Sequence, residues 1–233
     1  MAELTVPARF NGPRESGQGG YSAALLAAQL EGPAAVSLRS PVPLDRPLRI
    51  VRADGAARAF DGETLVAEAA PAPPLALAPP RPVTLAEARA AERLHVAHHD
   101  TEFSRCFVCG ADRPDRLGVW AGPVTGTELV ASAWTPPAWT AGADGLVRPE
   151  VVWAALDCPT YFAVYGEALA LAFLVRQQVE IHGPIRPGTE YAVIAWPLAA
   201  ERRKRSAGAA LLDADGRTLA IGEALMVEVP SSE

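Results

Sequence analysis

The sequence has few cysteines and no long apolar run. Only Cys106, Cys109 and Cys158 occur in 233 residues, and an odd number in a chain without a signal-like start argues against a disulfide framework. The longest apolar run, residues 168–175, is far shorter than the roughly 18 residues of a membrane-spanning helix. The first residues, MAELTVPARFNG, lack the basic-then-apolar pattern of a signal peptide. We therefore expect a cytoplasmic protein that does not associate with membranes.

Basic charge is also scarce. The 21 Lys and Arg residues are outnumbered by 27 Asp and Glu residues, which gives a formal net charge of −6. This balance argues against a general nucleic-acid-binding protein, which usually carries a basic face. Hydrophobic residues make up 49% of the chain, enough for a globular core in one large domain or two small ones.

A proline-rich segment divides the chain near its middle. Residues 70–82 contain six prolines, so this segment cannot form a regular helix or a central strand. The Ala- and Glu-rich residues 84–99 follow, and Thr84 with Glu87 predicts a capping box at the start of a helix. We divide the chain accordingly into an N-terminal unit, a connector and a C-terminal unit: 1–70, 71–103 and 104–233.

The two outer units share one pattern, which is an apolar helix followed by segments of alternating strand type. The C-terminal unit also contains a clear hairpin around Asp215 and Gly216. A helix packed on antiparallel strands belongs to the α+β class, and two such units can pair their exposed strand edges. The sequence therefore predicts one continuous antiparallel sheet with two central helices laid against it.

Three stretches of the sequence match known motifs in part. CFVCGADRPDRLGVW (106–120) is similar to a Cys-Phe-x-Cys-Gly-x-x-x-Pro-x-Gly-Leu stretch, with Arg116 where glycine is usual. RPEVVWAALD (148–157) is similar to a His-Gly-Gly-x-x-x-x-x-x-Asp signature that keeps only the acid, Asp157. QGGYSAALLA (18–27) keeps the two glycines of the same signature but has Ala27 at the acidic position. Together these three motifs resemble those of the acyl-CoA thioesterase-like superfamily in its tandem, double hotdog form.

The resemblance implies a double hotdog fold with an active site between the two units. A helix N-terminus would polarise the thioester carbonyl, because its first N–H groups lack partners within the helix and carry partial positive charge. We expect Gly20 and Tyr21 to supply these N–H groups, with Gly19 allowing close approach of the substrate. Asp157, in an apolar helix that raises its pKa by desolvation, would activate water or attack directly.

Further residues are candidates for binding the substrate, an acyl-CoA or an acyl-carrier thioester. Glu150 lies two helical turns before Asp157, and Thr160 could hold a water beside it. Trp153 and Phe162 could line the acyl chain. The basic run Arg202, Arg203 and Lys204 could contact the phosphates of CoA. Each of these residues also has an ordinary structural explanation. Trp153 and Phe162 could be core residues, and the basic run could be a solvated hairpin tip. No cofactor is expected, apart from CoA as part of the substrate.

Other functions remain open at this point. Cys106 and Cys109 with His95, His98 and His99 could form a zinc set, but the spacing is irregular and we expect no metal. Cys158 has no base nearby in the sequence, which favours a core position. A dehydratase would need a histidine paired with an acid. The main alternative is a non-catalytic acyl- or CoA-binding hotdog protein, because each unit has lost part of its motif. A monomer and a homodimer are both compatible with the tandem arrangement.

Overall fold

The computed structural model describes residues 2–99 and 101–230. Its longer elements in chain order are β1 (Ala2–Leu4), α1 (Gly19–Ala27), β2 (Ala34–Leu38), β3 (Leu48–Ala53), β4 (Ala56–Asp61), β5 (Thr64–Pro71), α2 (Leu85–Glu92), β6 (Gly122–Pro123), β7 (Val130–Trp134), α3 (Pro149–Tyr165), β8 (Ala172–Ile181), β9 (Tyr191–Glu201), β10 (Lys204–Leu212) and β11 (Thr218–Glu228). Short 3-10 helices span Ala8–Phe10, Ala138–Thr140 and Gly166–Ala168.

Within the described ranges, eleven strands form a single sheet in the order β1-β3-β4-β5-β2-β8-β11-β10-β9-β7-β6. Every pair of neighbouring strands is antiparallel, and the two halves of the chain join where β2 pairs with β8, with Val36 opposite Gln177. The predicted hairpin is present, since β10 and β11 pair along their whole length. The continuous antiparallel sheet predicted from sequence is therefore confirmed.

Two apolar helices, α1 and α3, lie side by side against this sheet. Both are largely buried, and α1 packs on strands of the N-terminal half while α3 packs on those of the C-terminal half. Pro149 occupies the first position of α3, where its missing N–H costs nothing. The helix continues through Pro159 and ends at Tyr165, before Gly166 with a φ of 50°. This arrangement confirms the two central helices.

The connector carries its own short helix. Thr84 accepts a hydrogen bond from the Glu87 N–H, and the Glu87 carboxylate accepts one from the Thr84 N–H, so the predicted capping box is present. The helix ends at Glu92, whereas the sequence predicted helical residues as far as 99. His95 turns its ring to the Ala121 carbonyl, with Nδ1 at 3.0 Å.

Our division of the chain at residues 70 and 103 stays a prediction.

In the part of the chain that is described, no helix is both long enough and apolar enough to cross a lipid bilayer.

Candidate functional site

A cavity of about 540 Å³ lies where the two halves of the chain meet. The loop before α1 forms one wall, the middle of α3 forms another, and the start of β8 closes a third side. The segment between α2 and β6, the residues from the end of β2 to Val42, and Met226 of β11 contribute the remaining surface. Both units thus contribute to one cavity, and most of its lining is apolar.

Asp157 is the buried acidic group of this cavity, whose two other lining acids, Glu15 and Glu102, are exposed. Its side chain points from α3 to the start of α1, where Oδ2 accepts hydrogen bonds from the Gly20 N–H at 2.9 Å and the Gln18 amide at 2.5 Å. The pKa of this carboxyl is raised to about 7, mainly by burial and also by the nearby charge of Cys106, while the hydrogen bonds from Gly20 and Gln18 oppose the increase. The carboxylate of one helix therefore lies at the positive end of the other.

Gln18 holds the carboxylate in place, and the sequence interpretation missed it. As the N-cap of α1, it accepts the Tyr21 N–H through Oε1 at 2.7 Å and donates through Nε2 to Asp157. Only 2% of this residue is exposed. Its position directly before two glycines at a helix start was the available clue, although glutamine is not among the usual N-cap residues.

Replacing Gln18 by alanine should show how much this side chain contributes to the stability of the protein. We expect Gln18→Ala to lower the free energy of unfolding by about 1–3 kcal/mol, because the Tyr21 N–H loses its cap and a buried carboxylate loses a donor. Urea denaturation measures this difference. Gln29→Ala is the matched control near the other end of α1, where the side chain is only partly buried, and its loss should be smaller. Equal losses would contradict a special role for Gln18.

The helix start itself differs from the expectation. The Gly20 N–H is engaged by Asp157 and the Tyr21 N–H by Gln18, so neither of the two predicted donors is available to a carbonyl. The physical reason is that α3 approaches closely enough for its carboxylate to satisfy the helix terminus directly. Gly19 lines the cavity, and within the described residues its N–H makes no hydrogen bond. Gly19 therefore replaces Gly20 and Tyr21 as the candidate donor.

Three other candidates on α3 are not in the cavity lining. The Thr160 hydroxyl donates to the Asp157 main-chain oxygen at 2.6 Å, so it is not placed to hold a water beside the carboxylate. Trp153 is buried, and its carbonyl accepts the Gln177 amide at 3.2 Å. Glu150 pairs with Arg148 at 3.3 Å. All three have local structural partners instead of contacts with the cavity.

The basic run lies at the turn between β9 and β10. Arg202, Arg203 and Lys204 are exposed there, and none of them lines the cavity. Arg39 is the arginine that does line it, with 55% of its side chain exposed and Glu68 at 3.7 Å. A phosphate-binding role for the basic run stays a prediction that requires the ligand to extend beyond the cavity.

Aromatic rings form part of the apolar lining of the cavity. Phe103 packs edge-on against Phe173 at 5.6 Å between ring centroids, and Tyr161 packs against Phe162 at 5.3 Å. The His98 ring lies 5.3 Å from Tyr161 and 5.6 Å from Phe162. Of these residues the sequence interpretation singled out Phe162 for the acyl chain, and the structure places it in the lining. Such apolar walls are typical of small-molecule sites.

All three cysteines of the chain meet at this cavity. The Cys106 and Cys158 sulfurs are 3.8 Å apart, and the Cys109 sulfur lies within 4.8 Å of both. Hydrogen bonds from the two neighbouring thiols lower the pKa of Cys106, and the same contacts with Cys106 raise those of Cys109 and Cys158. Cys158 is therefore not simply a core residue, although nothing in its sequence position pointed to the other two.

Sequence comparisons find no match for this chain, either to a family profile or to a curated protein. Solved structures do match over nearly the whole chain. A conserved protein of unknown function with a hot dog fold from Alicyclobacillus acidocaldarius has a TM-score of 0.61 at 14% identity and covers 99% of this chain and 93% of its own. The tesB protein of Mycobacterium avium subs paratuberculosis has a TM-score of 0.59 at 13% identity, with 97% and 91% covered. At such identities the likeness establishes the fold, which is the double hotdog.

Proposed function

We propose that this chain, a protein of the double hotdog fold, is a hydrolase that cleaves an acyl thioester in the cavity between its two halves. The observation that carries the proposal is the position of Asp157. This carboxylate is buried, faces the cavity and is held by the first turn of the opposite helix. The sequence motifs that resemble those of acyl-CoA thioesterases point to the same chemistry.

The geometry divides the reaction between two groups. The thioester carbonyl oxygen would accept the Gly19 N–H, at a helix terminus whose partial positive charge stabilises a developing oxyanion. Asp157 would take a proton from the attacking water. Both described hydrogen bonds to its carboxylate go to Oδ2, so Oδ1 is the oxygen that would face the water. Collapse of the tetrahedral intermediate then breaks the C–S bond, and the proton held by Asp157 passes to the leaving sulfur, which releases the thiol and the acid and restores the carboxylate.

The remaining lining supports an apolar acyl group. The rings of Phe103, Tyr161, Phe162 and Phe173 would surround the acyl chain, and Arg39 would stand nearer the thiol portion. For an acyl-CoA, Arg202, Arg203 and Lys204 could meet the phosphates outside the cavity. If the substrate is instead a thioester on a carrier protein, its phosphopantetheine arm would enter the cavity from the same side as CoA.

The second candidate is a binding protein without catalysis. It is favoured by one specific observation, namely that the N–H groups of Gly20 and Tyr21 are already engaged within the protein. An acyl thioester could then occupy the cavity with only Gly19 to polarise it.

Release of free thiol from a panel of acyl-CoAs distinguishes the two functions. The panel should contain straight-chain and aromatic acyl groups of increasing size, with an enzyme-only blank to subtract the protein's own three thiols. Saturable turnover with at least one substrate supports hydrolysis. Saturable binding of several acyl-CoAs, by calorimetry, with no thiol or acid released would replace the hydrolase with the binding protein.

A further inference from the structure

The three cysteines form an unexplained cluster that thioester hydrolysis does not use. Cys106 and Cys109 lie in one turn, and Cys158 lies in α3. The fold therefore brings the sulfur of Cys158 close to two sulfurs that are at least 49 residues away along the chain. Their three sulfur atoms lie within 4.8 Å of one another and line the cavity. Ordinary core packing does not require three thiol groups to lie this close to one another.

We propose that Cys106, Cys109 and Cys158 form a thiolate site for a d10 metal ion, with Zn²⁺ as the reference ion. Zinc–sulfur bonds of about 2.3 Å in tetrahedral geometry set neighbouring sulfurs about 3.8 Å apart. The Cys106 and Cys158 sulfurs already have that separation. Three soft thiolates also select zinc or cuprous copper over the harder cations.

The turn that carries two of the ligands is shaped in advance. The Cys106 N–H donates to the Phe103 carbonyl at 2.9 Å, which fixes the main chain at the first of the two cysteines. Gly110 follows the second cysteine and donates to the Cys106 carbonyl at 2.8 Å. A Cβ at Gly110 would lie 2.5 Å from that oxygen, so the turn is packed too closely for any side chain.

The fourth corner of the site would open to the cavity. His98 lines the same surface, is 3% exposed, and its Nδ1 has no hydrogen-bond partner among the described residues. Imidazole nitrogen is a common fourth donor beside thiolates, but the His98 nitrogens are not within 4.8 Å of all three sulfurs, so the ring would have to turn toward the ion to complete the site. The two other histidines that the sequence suggested for zinc are engaged elsewhere, His95 with the Ala121 carbonyl and His99 with Asp112.

A disulfide explains the cluster less well. It would join two of the sulfurs and leave the third without a function, whereas the three are mutually close. The separation of 3.8 Å is also almost twice that of a sulfur–sulfur bond of about 2.05 Å. The mutual arrangement therefore favours a shared ligand over a covalent pair.

Cobalt titration of the reduced, metal-free protein tests the site directly. We expect one equivalent of Co²⁺ to give thiolate-to-cobalt charge-transfer absorption, and one equivalent of Zn²⁺ to abolish it. Cys106→Ser, Cys109→Ser and Cys158→Ser should each weaken binding at least 100-fold. Met226→Leu is the matched control, since Met226 is a buried sulfur residue in the same lining, and it should bind like the unmodified chain.

Several results would overturn the metal site. These are no charge-transfer absorption in the folded wild type, unchanged binding in all three serine variants, or mass spectrometry that shows a disulfide between two of the cysteines as the stable state under mild reduction. The wild-type titration decides the question even if a serine variant does not fold. None of these readouts uses thioester turnover, so failure of the metal site and failure of the hydrolase are separable.

Discussion

Replacing Asp157 by asparagine should lower kcat/KM for thioester hydrolysis by about 100-fold or more, which is the usual contribution of a positioned general base. Asparagine has the same shape and can still accept the Gly20 N–H, so the fold and the cavity should be preserved. It cannot take a proton from water. We expect the loss in kcat, with KM nearly unchanged, and the measurement is steady-state release of thiol from the best substrate of the panel.

Glu150→Gln is the matched control for this experiment. Glu150 is another carboxylate on α3, but it pairs with Arg148 and does not line the cavity. Its replacement should leave kcat/KM within about threefold, as is usual for substitutions away from the reacting groups. If Asp157→Asn and Glu150→Gln have equal activities, Asp157 is a structural residue and the binding protein becomes the better account.

Gly20→Ala should destabilise the protein by about 2 kcal/mol or more, a typical cost of overpacking, and should also abolish most activity. A Cβ on Gly20 would lie 2.7 Å from the Trp153 carbonyl oxygen and 2.9 Å from both the Asp157 Cβ and the Gln177 Oε1. The nearest of these atoms is main chain of α3 and cannot rotate away, so the two helices must separate. Separation would also move Asp157 from the helix start.

Gly19→Ala provides the comparison at the neighbouring position. Its Cβ would meet the Leu174 side chain at 2.7 Å and the Asp157 Oδ2 at 3.2 Å. The Leu174 methyl can rotate away, and the Leu174 Cβ at 3.0 Å needs to shift by only a few tenths of an ångström, so we expect a smaller loss of stability than for Gly20→Ala. Activity should still fall, because a methyl group then occupies the space intended for the thioester. Thermal unfolding and thiol release of both variants measure the two effects. Equal stability losses would contradict the close contact of α1 with α3.

The fold was largely predictable because its determinants are local. Alternating residues indicated the strands, two apolar segments indicated α1 and α3, and the capping box at Thr84 and Glu87 lies at its predicted position. Residues 93–99 were predicted as helix because Ala, Glu and Arg dominate the segment as a whole. Intrinsic propensity is a weak guide at such ends, and tertiary contacts such as that of His95 with Ala121 decide where the helix stops.

The candidate site was predictable only in outline. The motifs brought Asp157 and the start of α1 together, but they could not show that the carboxylate itself engages the Gly20 N–H. Gln18 and the three-cysteine cluster depend on contacts between segments more than 45 residues apart along the chain, and no spacing in one sequence records such contacts. Thr160 was assigned by its position near Asp157 on the helix and Trp153 as an apolar residue for the acyl chain, yet the orientation of α3 directs both elsewhere.

A crystal structure of the Asp157→Asn variant with an intact acyl-CoA would test the central claim most directly. We expect the thioester carbonyl oxygen about 3 Å from the Gly19 nitrogen, with the acyl group among Phe103, Tyr161, Phe162 and Phe173. The side chain at position 157 should face the carbonyl carbon across the space of one water. A bound acyl-CoA whose thioester lies outside the cavity, or points away from Gly19, would contradict hydrolysis at this site.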